Sequence, residues 1–75
     1  MMTTRQRLAF LILQLNYGYT SWRGALQLAR ASARGDRSVE CREAAEAVRA
    51  SLEAADAALA TVQTVRVRER ELVPA

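Results

Sequence analysis

The sequence predicts an all-α fold: an antiparallel two-helix hairpin with a coiled-coil-like seam, dimerising into a four-helix bundle. Three observations carry that expectation. Ala, Leu, Arg and Glu dominate, with one proline and three glycines in 75 residues, which is helix-forming composition. Apolar residues recur in steps of four and three along two long runs. A single cluster of turn formers, "RGDRS", separates those runs.

A chain of this length makes one domain, near the lower limit for a self-sufficient core. Its one cysteine allows no internal disulfide, and with no histidine present Cys41 cannot hold a structural zinc. Regular helix packing or oligomerisation is left as the source of stability.

The first helix is expected over about residues 3–34. Its run is Leu8, Ile12, Leu15, Tyr19, Trp22, Leu26, Ala29 and Ala33. In its middle lies "QLNYGYTS", residues 14–21, where Asn16, Gly18, Thr20 and Ser21 also spell a turn and a helix N-cap. The apolar phase crosses this stretch without a slip, whereas a turn normally resets it. One continuous helix is therefore favoured, with Gly18 and Gly24 inside it. Each costs about 1 kcal/mol relative to alanine, offset by close approach of another helix.

The loop is expected at residues 35–38. Gly35 suits the left-handed position just past a helix end. Ser38 or Asp36 can cap the next helix, and Glu40 favours its first turn. The second helix is expected over about 39–70, with Cys41, Ala45, Val48, Leu52, Ala55, Leu59, Val62 and Arg66 in the same phase. "VRVRERE" alternates with period two, so a short strand there is the weaker alternative. Facing residues of an antiparallel hairpin have a constant sum of numbers. Ala33 with Cys41, Leu26 with Val48, Trp22 with Leu52, Leu15 with Leu59 and Leu8 with Arg66 all give 74, centred inside the loop. Residues 1–75 thus read as one helical-hairpin domain.

The seam leaves further apolar residues: Phe10, Leu11, Leu13, Tyr17 and Leu28. Together with the close-approach positions Gly18 and Gly24 they form the candidate interface. The expected occupant is a second copy, giving a homodimeric bundle, or else the helix of a second protein. The pairs Arg42–Glu46, Arg49–Glu53 and Glu46–Arg49 read as a solvated, salt-laced stripe. Glu46, Glu53 and Asp56 lack the histidine partners of a carboxylate-bridged metal bundle, so no metal is expected.

A hairpin would gather Arg5, Arg7, Arg66, Arg68 and Arg70 with Glu69 and Glu71 at its open end. That end would hold the whole formal charge of +3. It is a candidate basic patch for an anionic partner; arginines late in a helix also favour its dipole. Trp22 and Tyr19 fall at core spacing, and Cys41 reads as a buried, inert thiol. "RGD" at residues 34–36 matches an adhesion tripeptide, but a helix-loop-helix turn already accounts for these residues.

No histidine base, nucleophile motif or glycine-rich phosphate loop is present, so neither an enzyme nor a cofactor is expected. The leading expectation is a helical adaptor, inhibitor or co-chaperone. In size and hairpin shape the chain resembles the co-chaperones of type III secretion needle subunits and small phage-encoded proteins that capture host regulators. That likeness lies in architecture and assigns no functional residue. The alternative is a nucleic-acid-binding regulatory protein, using the arginine end or a helix-turn-helix around residues 16–34 that presents Trp22, Arg23, Gln27 and Arg30. The apolar run of "LAFLIL" ends at Gln14 and Asn16, too short for a membrane span, so a cytoplasmic protein without membrane contact is expected.

Overall fold

The computed structural model describes residues 2–72. Within them the chain is all-α, with no strand among the described residues: α1 (Thr4–Tyr17), α2 (Trp22–Ala33) and α3 (Val39–Leu72). The long first helix expected over residues 3–34 is not formed. It is two helices, broken at the stretch that the apolar phase had crossed.

Local chemistry explains the break. Gly18 adopts φ 75°, and its N–H donates to the Gln14 carbonyl, closing α1 with a left-handed cap. Ser21 is extended, and its hydroxyl accepts the Gly24 N–H at 3.1 Å, opening α2. Gly24 therefore serves the first turn of α2 instead of a close helix crossing. Running the helix through would forfeit both caps and place two glycines in a helix interior, each glycine at about 1 kcal/mol.

The other turn forms where expected. Gly35 sits at φ 103°, the Asp36 N–H donates to the Ala31 carbonyl, and the Gly35 N–H donates to Ser32. This paired closure satisfies two carbonyls at the end of α2. The Asp36 carboxylate accepts the Ser38 N–H at 2.9 Å, and the Ser38 hydroxyl accepts the Cys41 N–H at 3.4 Å. The backbone bond to Ser38 is the first cause holding the Asp36 carboxyl below its ordinary value. At the chain's start, Thr3 and Gln6 form a reciprocal capping box for α1.

Both short helices pack on α3. The five-residue turn brings α2 back along α3. From α1, Arg5 meets Asp56, Leu13 clusters with Ala47 and Val48, and Tyr17 lies by Glu43 and Glu46. So α1 also runs antiparallel to α3, but in a register summing near 61 instead of 74. The difference of 13 residues is about 20 Å of helix rise.

The small core comprises Leu13, Ala25, Ala47 and Val48. Phe10, Tyr19, Trp22, Leu26, Ala29 and Leu52 pack around it. The rings of Phe10 and Trp22 meet at 6.3 Å and 59°. On α3 the buried positions are Cys41, Ala44, Ala47, Val48, Ser51 and Ala55. The buried residues of α1 are Ala9 and Leu13, whereas the expected seam residue Leu15 is 76 % exposed. Ser51 is wholly buried, and its hydroxyl finds no partner among the described residues.

Candidate interaction surface

The fold uses only the first part of α3. Beyond Asp56 every side chain through Arg70 is exposed except Leu59, which is half-buried. Residues 57–70 thus project as about 21 Å of largely uncovered helix. The molecule is correspondingly elongated, 57 × 22 × 19 Å.

The buried stripe of α3 does not stop where its cover stops. Val48, Ser51 and Ala55 continue in three- and four-residue steps as Ala58, Leu59, Val62 and Val65. Val62 and Val65 are 47 % and 49 % exposed on this stripe. Arg66 and Arg70 flank it, and Val67 lies on the opposite side of the helix.

This segment is a poor helix on its own. Five of the seven residues 61–67 are β-branched: Thr61, Val62, Thr64, Val65 and Val67. Such residues lose side-chain freedom in a helix and normally rely on tertiary packing to remain there. The Thr61 and Thr64 hydroxyls both donate back to carbonyls four residues earlier, Ala57 and Ala60, at 3.0 Å.

The interface expected on the first helix is not one face. Leu13 is in the core, and Phe10 and Leu28 are half-buried, whereas Leu11 and Tyr17 are exposed and Gly18 lies in an exposed turn. The break at Gly18 lets α1 shift along α3, which takes Leu13 into the core and half-buries Phe10 but leaves Leu11 and Tyr17 exposed. Tyr17 and Tyr19 instead line an open cleft of about 470 Å³ with Glu43, Glu46 and Arg49.

The basic patch is also divided. Arg5 donates two hydrogen bonds to the Asp56 carboxylate, Nε–Oδ1 at 2.6 Å and Nη2–Oδ2 at 3.0 Å, with both side chains half-exposed. The pairing holds the Asp56 carboxyl below its ordinary value and raises the Arg5 guanidinium. Arg66, Arg68 and Arg70 lie 10 to 14 residues past Asp56, about 15–21 Å farther along the helix. The register of α1 separates the two arginine groups.

A third feature was visible in the sequence as a simple charge asymmetry. The first 35 residues contain five arginines and no acid. In the fold, Arg23, Gln27, Arg30 and Arg34 are exposed at spacings of four, three and four, forming one basic stripe along α2. Among the described residues, no cluster of acidic and cysteine side chains is arranged to hold a metal, and no helix is long and apolar enough to cross a membrane. Compared with known protein families, curated proteins and solved structures, the chain matches none.

Proposed function

We propose that this protein acts without catalysis, by helix-mediated protein–protein association through the projecting half of α3. The observation that supports the reading is the continuation of the core stripe past the half-buried Leu59 into Val62 and Val65, exposed on a β-branched helix. The first occupant is a second copy, in line with a homodimeric helical bundle; an adaptor or inhibitor would offer the same stripe to another protein's helix. Molar mass by light scattering over a concentration series tests it. The wild-type chain is expected to dimerise, and Val62→Glu with Val65→Glu to remain monomeric while retaining the helicity of the covered half. A wild-type monomer at every concentration overturns the homodimer.

A second reading has its own support. The break at residues 18–21 and the acid-free stripe of Arg23, Gln27, Arg30 and Arg34 support a nucleic-acid-binding α1–turn–α2 unit, although Trp22, expected on the same face, packs half-buried against the core. Binding to a DNA duplex should then weaken steeply with salt, and Arg23→Ala with Arg30→Ala should flatten that dependence. No binding at low salt ends this reading.

A further inference from the structure

We infer that the uncovered stripe of α3 has an occupant within its own chain: α1, swung out about the Gly18–Ser21 turn into the register that α2 already uses. In this second conformer α1 and α2 form one straight helix, and α1 competes with any partner for the stripe.

Four observations converge on this. First, the apolar phase Leu8, Ile12, Leu15, Tyr19, Trp22 runs unbroken into α2, although the observed α1 half-buries Leu8 and Ile12 and leaves Leu15 out. Its face toward the core is Ala9 and Leu13, and Leu15 stands 76 % exposed. Helix α1 therefore carries two apolar faces, one buried at Ala9 and Leu13, the other half-buried at Leu8 and Ile12 and exposed at Leu15. Second, extending the α2–α3 register past the turn sets Leu15 opposite Leu59 and Ile12 opposite Val62. Of these α3 positions Val62 is exposed and Leu59 half-buried. Third, the turn is free to change. Nothing lies within 4 Å of a Cβ built on Gly18, and residues 18, 20 and 21 are exposed, so only Tyr19, half-buried against the core, ties the turn to the rest of the fold. Fourth, the folded-back register buries the Ser51 hydroxyl without a partner among the described residues. In the α1–α3 register summing near 61, Ser51 lies level with Phe10, so departure of α1 should open this position to water and remove that cost.

The two conformers exchange comparable groups. The folded-back form buries Leu13, stacks Phe10 against Trp22 and pairs Arg5 with Asp56. The straight form covers the exposed Leu15 and Val62, deepens the burial of Ile12 and Leu59, which are already half-buried, and releases Phe10 and Leu13 to the surface. Such a balance is what a two-state element requires. The competition with a partner rests on the association surface proposed above; the change of register does not.

A cysteine pair tests the register directly. In a Cys41→Ala background, Leu15→Cys and Leu59→Cys lie about 13 residues, or 20 Å, out of step in the folded-back form, beyond disulfide reach. Under a mild thiol oxidant they should close an intrachain disulfide at a rate independent of protein concentration. The control pair Leu15→Cys and Val67→Cys, which neither conformer brings together, should close at least tenfold more slowly. Adding Gly18→Ala and Ser21→Ala, which weaken the turn, should speed the first pair about tenfold. Equal rates for both pairs, or disulfides only between chains, overturn the inference. The oxidised Leu15–Leu59 pair should block self-association and reduction restore it. Undiminished association of the oxidised chain overturns the competition. Absence of association in the reduced chain counts against the association surface alone and leaves the crosslinking result standing.

Discussion

The two halves of α3 are one continuous helix under opposite conditions. Residues 39–56 are Ala-rich, carry charged, exposed outer positions and lie beneath α1 and α2. Residues 57–72 carry the β-branched run and have only the edge of α1 near Leu59. The half with the stronger intrinsic helix propensity has the cover, and the half that depends more on packing lacks it. Within this chain, then, the outer half is the part whose stability has to come from outside it.

Substitutions can break that contrast. The largest effect is expected at Leu13, the bulkiest fully buried side chain. Leu13→Ala should cost about 3–4 kcal/mol in chemical denaturation, whereas Val65→Ala should change the dilute monomer by less than about 0.5 kcal/mol. Equal losses at the two sites would erase the distinction between the halves.

The next effects sit at the hinge and the buried hydroxyl. Gly18→Ala forces a side chain into the left-handed region and should destabilise the folded-back form by about 1 kcal/mol. Ser21→Ala should cost about as much through its lost cap, again about 1 kcal/mol. Ser51→Ala should act in the other direction, stabilising by about 1 kcal/mol because it removes an unpartnered buried hydroxyl. A destabilised Ser51→Ala chain, measured by the denaturation midpoint, would mean that the hydroxyl is satisfied in solution.

The smallest effect is the acid response. Asp56 and Asp36 both have folded-state pKa values below the ordinary carboxylate range. Each therefore contributes stability that is fully present above about pH 4, the ordinary value, and is lost as pH falls through the lowered one. Asp56→Asn should flatten the acid limb of a stability–pH curve and leave its neutral region nearly level. An unchanged acid limb would remove Arg5–Asp56 from the account of what holds α1 in register.

What was legible in the sequence follows the same physical division. The all-α class, the turn at residues 34–38 with its left-handed Gly35, the span of α3 and the buried Cys41 were all readable, because local caps and periodicity agreed there. At residues 14–21 they disagreed. Periodicity reports which side of a helix is apolar, not whether the chain bends, and α1 is apolar on two sides. Leu8, Ile12 and Leu15 kept the phase, while Ala9 and Leu13, also four apart, made the contact. The caps at Gly18 and Ser21 are worth about 1 kcal/mol each, enough to prevail over the pattern. Misplacing α1 then misplaced everything on it: Phe10 and Leu13 as a display face, and Arg5 and Arg7 beside Arg66. The acid-free first 35 residues were readable by counting charge along the chain instead of at its ends.

The most direct test of the central contrast is residue-resolved amide hydrogen exchange on the wild-type chain at low and high concentration. The amides of residues 41–56 should exchange slowly and equally at both. Those of residues 60–70 should exchange fast when dilute and become protected as association proceeds. Fast exchange of residues 60–70 at every concentration, or protection equal to residues 41–56 at the lowest, would contradict it.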